Sequence, residues 1–204
     1  MKTLSALCVV FVLVLSAAAN AGTFYLEGIG SYGSYGDAKS MPSGMIGFGT
    51  AVSDYVNVYA RGFYGGSSTV STDALLIERK KEYSVMGLMG VVDCTYYFQT
   101  DLPVRIGLTA SGGVGYANVE IKDDKTVEPS GSYKSLSDSA PILGGWAGVK
   151  VECTQRIALF VLGGYQRCVG FGSDLTDASV GGVNFLLGVT VTLGGVNSPI
   201  DRGY

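Results

Sequence analysis

The sequence predicts an all-β fold, an eight-stranded antiparallel up-and-down barrel, and three observations support this prediction. Apolar residues alternate with small or polar ones along most of the chain, which is the period-two signature of β-strands. Glycine supplies 31 of the 204 residues and proline only five, a composition that fits closely packed strands better than a disordered chain. The candidate strands are mostly longer than the roughly 5–6 residues usual in soluble proteins.

The chain begins with a segment typical of a secretory signal peptide. Lys2 gives a positive start, residues 4–15 are almost entirely apolar, and Ala19-Asn20-Ala21 matches an Ala-x-Ala cleavage site. The apolar run is short for a membrane-spanning helix, which needs about 20 residues. We therefore predict an exported protein with a cleaved signal peptide over 1–21, a barrel domain over 22–195 and a short C-terminal tail over 196–204.

Alternation divides the rest of the chain into eight candidate strands. It is clearest from Val183 to Leu193, where every second residue is apolar, and it recurs from Val104 to Ala110. Every candidate is long enough to cross a bilayer as a tilted strand, which takes about 9–11 residues. The predicted strands cover 23–36, 42–52, 55–68, 82–98, 103–121, 140–153, 156–171 and 180–194.

The predicted connections alternate between short and longer ones. Short turns fall at 53–54, 99–102 and 154–155, and the two longest loops cover 69–81 and 122–139. The charged loop residues singled out as candidate surface positions are Asp73, Arg79, Asp123, Asp124, Glu128 and Lys134. Alternate connections of an up-and-down barrel lie on opposite rims, which places the short turns and both termini together. The two long loops are then free to meet an external partner.

Few charges fall within the predicted strands, and this distribution suggests which face of the barrel points inward. If the apolar faces met water they would expose a broad apolar band, which soluble proteins rarely do. If they met lipid, charges of both signs could pair in the interior, as buried charges must. This interpretation makes the barrel a transmembrane one. The candidate interior charge network is Glu27, Arg61, Asp93, Arg105, Lys150 and Glu152.

The interior face is not uniformly polar, which leaves an alternative open. Val85, Met89 and Val91 share a strand face with Asp93. An interior with such apolar positions also suits a soluble periplasmic or secreted β-barrel that binds a small apolar ligand. The sequence therefore supports two functional hypotheses, a membrane barrel and a ligand-binding soluble barrel.

The sequence supports neither an enzyme nor a cofactor or metal site. It contains no histidine, which excludes Ser-His-Asp catalysis and His-metal sites. Gly28 to Gly33 matches G-x-G-x-x-G, but the motif needs a helix after it, and here it lies within an alternating strand. The acidic pair Asp123-Asp124 is interpreted as a solvated loop. The net charge of −3 shows no basic excess, so nucleic acid is not predicted as a partner.

Three cysteines follow the predicted signal peptide, at 94, 153 and 168, and they show no C-x-x-C spacing. An intervening predicted strand separates the strands of Cys94 and Cys153, which places them too far apart to bond. We expect free thiols.

Over residues 22–194 the chain resembles the small outer-membrane β-barrel superfamily, the porin-like outer-membrane protein β-barrel domain. Its last strand is similar to the β-signal read by the barrel assembly machinery: Gly188, Val191 and Leu193 match, whereas Leu187 occupies a polar position and the terminal Phe is missing. The resemblance implies a cell outer membrane location in a Gram-negative organism, with outer-membrane lipid and the assembly machinery as partners. The expected function is a structural, surface-interaction or minor transport role without catalysis, because this fold hosts several functions.

Overall fold

The computed structural model describes residues 23–35, 38–72, 78–99, 102–127, 133–169 and 180–194. Strands adjacent in sequence pair antiparallel, and β1 pairs with β8 to close the barrel, which confirms the predicted fold class. The predicted signal peptide, 1–21, and C-terminal tail, 196–204, lie outside the described residues. The strands are β1 (Phe24–Tyr35), β2 (Ala38–Ala51), β3 (Val56–Thr72), β4 (Glu78–Tyr97), β5 (Arg105–Val127), β6 (Tyr133–Glu152), β7 (Ile157–Cys168) and β8 (Gly181–Thr192).

The alternation seen in the sequence becomes the two faces of the barrel wall. Along β7, Ala158, Phe160 and Leu162 are buried in the interior, whereas Leu159 and Val161 between them are exposed on the outside. Successive side chains of a strand point to opposite faces, so one face of each strand fills the barrel and the other forms its outer surface. Within the described part of the chain, no helix is long and apolar enough to cross a membrane.

The prediction of two long loops, at 69–81 and 122–139, is wrong over most of their length. β3 continues to Thr72 and β4 starts at Glu78, while β5 continues to Val127 and β6 starts at Tyr133. Only 73–77 and 128–132 lie between these strands. Residues 122–127, for example, are polar except for Val127 and lack the alternation of a half-buried strand, so the sequence alone suggests a loop there.

The candidate surface residues of those loops are correspondingly relocated. Arg79 lies on β4, Asp123 and Asp124 lie on β5, and Lys134 lies on β6. Asp73 and Glu128 fall outside the described residues.

The two ends of the barrel differ through the length of its strands more than through the length of its loops. We call the end that carries connections 52–55, 98–104 and 153–156 the turn end, and the opposite one the sheet end. The predicted start of the second strand at 42 is wrong, because β2 begins at Ala38 and only residues 36–37 separate it from β1 at the sheet end. The predicted contrast between short turns and longer loops is kept only between β7 and β8, which residues 169–180 separate. At the other sheet-end connections it is replaced by strands that overhang the barrel.

The overhang forms a four-stranded protruding sheet, made of residues 66–72, 78–84, 117–127 and 133–140. The last pair between β2 and β3 is Ser43 with Gly65, and the first between β6 and β7 is Ile142 with Cys168. Beyond those pairs the outer edges of the sheet, 66–72 and 133–140, pair with no further strand on their outer side among the described residues, and the last bond at the β6 edge runs from Val169 N–H to Pro141 O at 2.8 Å. At roughly 3.3 Å per residue the β5 part extends about 35 Å along the strand.

Candidate functional site

Arg61 is the centre of a buried ion-pair cluster in the turn-end half of the interior. Its Nε donates to Glu27 Oε2 at 2.8 Å and its Nη2 donates to Asp93 Oδ2 at 2.9 Å. The exposed fraction of each of these three side chains is 5% or less. Thr190 donates to the other Glu27 oxygen at 3.3 Å, and the Tyr59 ring lies 5.0 Å from the guanidinium carbon. Pairing and hydrogen bonds offset the desolvation of these buried charges.

Four polar atoms of the same region have no hydrogen-bond partner within the described part of the protein. They are the Tyr59 hydroxyl, Arg61 Nη1, Asp93 Oδ1 and the Ser111 hydroxyl. Asp93 and Ser111 are directly opposite each other on β4 and β5. This half of the interior is therefore polar in character, with atoms left over that can bond water.

A second ion pair lies at the turn-end rim and is partly exposed. Arg105 Nη1 lies 3.0 Å from Glu152 Oε2, and the Tyr97 hydroxyl donates to Glu152 Oε1 at 2.5 Å. The Arg105 guanidinium also stacks on the Tyr97 ring, with 4.1 Å from its carbon to the ring centroid. Lys150 is buried and has no ion pair in the described part of the chain. The six predicted interior charges thus form two separate groups and a single lysine, not one network.

The sheet-end half of the interior is filled by apolar side chains around the only tryptophan. Trp146 donates its indole N–H to Asn184 Oδ1 at 2.8 Å, across the intervening strand β7. Gly164 of β7 leaves the space for the indole, since a Cβ there would lie 2.4 Å from Trp146 Cδ1. Other members of this packing include Ile29, Met45, Phe63, Met89, Ile142, Leu162 and Leu186. Because these side chains fill the interior themselves, the alternative of an apolar ligand held there is not favoured.

The sequence did not indicate the Trp146–Asn184 contact. Its alternation places both residues on interior faces, but the contact depends on the register of three strands and on a glycine in the middle one. No local pattern reports that register.

The outer wall of the barrel carries no charged side chain. We define the wall as the outward positions of 24–32, 42–50, 56–64, 86–96, 106–116, 141–151, 157–165 and 183–191, all of which the structure describes. None is Asp, Glu, Lys or Arg. Its exposed large apolar residues include Leu26, Ile46, Val92, Leu108, Val114, Leu143, Leu159, Val161, Val183, Phe185 and Leu187.

Aromatic residues lie at both margins of the outer wall. At the turn end, Phe24 stacks on Phe48 with 5.8 Å between ring centroids, and Tyr96 meets Phe98 edge to face, also at 5.8 Å. At the sheet end, exposed outward tyrosines include Tyr32, Tyr64 and Tyr165. Membrane barrels carry such aromatic girdles where the apolar band meets the lipid headgroups.

The described residues contain no group of three or more His, Cys, Asp or Glu side chains that could hold a metal ion. Cys94, Cys153 and Cys168 are free thiols; the first two are exposed and the third is buried.

Comparison with known proteins identifies the architecture. No protein-family model and no curated protein matches the chain. Among solved structures it is similar to Neisserial surface protein A, with 18% sequence identity and a TM-score of 0.52, covering 84% of this chain and 99% of that one. The chain has the fold of the small outer-membrane β-barrels.

A second structure supports the same conclusion about the fold. The chain is similar to Ail, the attachment invasion locus protein of Yersinia pestis, solved in complex with the heparin analogue sucrose octasulfate. The identity is 14% and the TM-score 0.50, over 84% of this chain and 99% of that one. Identities this low establish the fold alone.

Proposed function

We propose that this chain is an integral protein of the Gram-negative outer membrane with a structural and surface-interaction role. The observation that carries the proposal is the outer wall without a single charge. A soluble barrel with this wall would expose to water a continuous apolar surface around its whole circumference, which soluble monomers avoid. A lipid-facing wall has the opposite requirement, because charges there are destabilising.

The height of the wall supports the same proposal. From Met86 to Tyr96 the outward residues of β4 span roughly 33 Å along the strand, or about 25 Å after a tilt of about 40°. The apolar band of outer-membrane barrels is about 25 Å tall. The wall therefore matches the hydrocarbon thickness that it would have to cover.

The filled interior argues against a wide channel. Arg61 and its two carboxylates occupy the turn-end half, and Trp146 with its apolar neighbours occupies the other half. An eight-stranded barrel is only wide enough for its own side chains. In planar lipid bilayers we expect no conductance or only a small one, far below that of a porin.

The protruding sheet is the part best placed to meet an external partner. Unpaired strand edges bind extended segments of other chains through main-chain hydrogen bonds. The edge at 66–72 contains no charge and no proline that would block such pairing. Described side chains of the sheet carry both signs, with Lys122 paired to Glu120 at 3.6 Å, so a purely polyanionic ligand such as the one bound to Ail is not favoured here.

Cell fractionation followed by electrophoresis tests the membrane location. The protein should be recovered with the outer membrane, and an unboiled sample should migrate differently from a boiled one, because a folded barrel resists the detergent. Full recovery in the soluble periplasm would contradict the proposal and favour the soluble alternative.

Thiol labelling of intact cells tests the orientation. In a Cys94→Ser background, native Cys153 reports the turn end, and a membrane-impermeant maleimide should label it only after the outer membrane is permeabilised. In the triple variant Cys94→Ser, Cys153→Ser, Ser68→Cys, the new thiol at position 68 reports the protruding sheet and should be labelled in intact cells. The reverse pattern would contradict the proposed orientation, although not the membrane location.

A further inference from the structure

The barrel interior opens into a cavity of about 270 Å³ at the turn end. Its lining is mainly polar and comes from strands on every side of the barrel, with Tyr25, Asn57, Lys150 and Thr190 among its residues. The cavity lies between the buried Arg61 cluster and the rim, so a molecule inside it would be enclosed by side chains and open to one aqueous compartment.

Lys150 is the unusual group in this cavity. Only 5% of its surface is exposed, and it enters from β6 between Gly107 of β5 and Phe160 of β7. In the described part of the chain its Nζ has no carboxylate within 4 Å and no hydrogen bond. The charge of Lys150 attracts that of the Glu27 carboxylate across the interior, but Glu27 is already bonded to Arg61 and Thr190. A buried ammonium group normally has a bonded partner, since its desolvation is costly.

Two other charged groups of the cavity, Arg105 and Glu152, are already bonded to each other. The Tyr97 hydroxyl occupies the second Glu152 oxygen. The side chains of Tyr25 and Asn57 make no hydrogen bond with the described residues. The unused groups of the cavity therefore include three kinds of donor: an ammonium, a phenol and an amide.

We infer that this cavity is a binding site for a small molecule with one anionic oxygen group, a carboxylate or a phosphate, held by Lys150. Charge-assisted hydrogen bonds to an anion are the strong interactions that an ammonium makes. The volume lies just below the range of about 300–1,000 Å³ typical of ligand pockets, so the ligand is small. Asp54 at the rim and Glu152 also line the cavity, which disfavours polyanions and favours a monoanion or a zwitterion.

Nuclear magnetic resonance of the complete barrel, folded in detergent micelles, tests this site. The probes are sodium acetate and sodium phosphate, each exchanged for sodium chloride at constant ionic strength. We expect saturable shifts of the Ala158 and Thr190 amides with at least one of the two probes. Lys150→Met should weaken that binding about tenfold or more, the size of effect expected for one lost charge-assisted bond.

Lys122→Met is the matched control, because Lys122 is an exposed lysine on the protruding sheet. It should leave the binding unchanged. Binding of acetate alone, phosphate alone or both would define the ligand class and support the site. Shifts that do not saturate, or that persist equally in Lys150→Met, would overturn it.

A second measurement keeps the test decisive if Lys150→Met does not fold. Lysine labelled with ¹³C at Cε gives one signal per lysine in the unmodified protein, and Lys150→Arg identifies the Lys150 signal by its loss. That signal should move with the bound anion while those of exposed lysines stay in place; no selective movement would overturn the inference. The cavity is inside the barrel whatever surrounds the outer wall, so this result is independent of the membrane location.

Discussion

Trp146 on β6 and Asn184 on β8 are joined by a 2.8 Å hydrogen bond that passes over the backbone of β7. Both side chains are buried, and Gly164 of β7 provides the space between them. The Nδ2 of Asn184 also donates to the amide oxygen of Gln166 on β7, at 3.4 Å. Three consecutive strands are thereby joined through side chains as well as through their main-chain ladders.

Replacing Asn184 by leucine should destabilise the barrel by about 1–3 kcal/mol, because the buried indole N–H loses its acceptor. Urea unfolding in detergent, followed by the fluorescence of the single tryptophan, measures the change. The control is Val183→Leu, at the preceding position of the same strand, where the side chain points outward. It should change stability by less than about 0.5 kcal/mol. Equal stabilities of the two variants would contradict the role of the contact.

Arg61→Met should be more damaging, by about 3–5 kcal/mol, because it leaves two buried carboxylates without their counter-ion. The triple variant Glu27→Gln, Arg61→Met, Asp93→Asn removes all three charges and should recover much of this loss. The temperature at which the folded form disappears from unboiled gel samples gives the comparison. A triple variant as unstable as Arg61→Met alone would show that packing, and not charge, accounts for the loss.

The sequence predicted the barrel because apolar residues alternate with small or polar ones along most of the strands. β7 is an exception, because outward Leu159 and Val161 and inward Phe160 are all apolar. The small and polar inward residues of the other strands still make the pattern recognisable. Beyond the wall this signal weakens on the outward face. Ser68 and Glu82, which face each other on β3 and β4, are polar and exposed, whereas the neighbouring Tyr83 is buried.

The candidate site was only partly predictable for a related reason. Strand parity placed Glu27, Arg61 and Asp93 inside, but which carboxylates pair with which cation depends on strand register and barrel stagger. Arg105 belongs to a different pair at the rim, and Lys150 to none among the described residues. The charge balance of an interior can be inferred from composition, whereas its connectivity needs the three-dimensional structure.

Two glycines on β5 should respond oppositely to the same substitution. A Cβ at Gly115 would lie 2.1 Å from the backbone oxygen of Leu88, whereas a Cβ at Gly112 meets nothing within 4 Å. Gly115→Ala therefore requires a backbone shift and should cost about 1–3 kcal/mol, as overpacking does. Gly112→Ala should be neutral or stabilising by up to about 1 kcal/mol, because alanine restricts the unfolded chain. Urea unfolding of the two variants side by side checks the difference, and similar losses for both would contradict the close approach of β4 and β5 at Gly115.

A charge placed on the outer wall should distinguish lipid from water as the surroundings of the barrel. Val161 is 55% exposed on β7, in the middle of the wall. Val161→Lys should cost about 2–4 kcal/mol in a bilayer, because a lysine at the membrane midplane must leave water. Ser68→Lys on the protruding sheet adds the same charge where water remains and should cost less than about 0.5 kcal/mol. Folding titrations into phospholipid vesicles measure both variants. A soluble barrel would tolerate Val161→Lys as well as Ser68→Lys, since in water an exposed lysine replaces an exposed valine without desolvation, and that outcome would refute a lipid-facing wall.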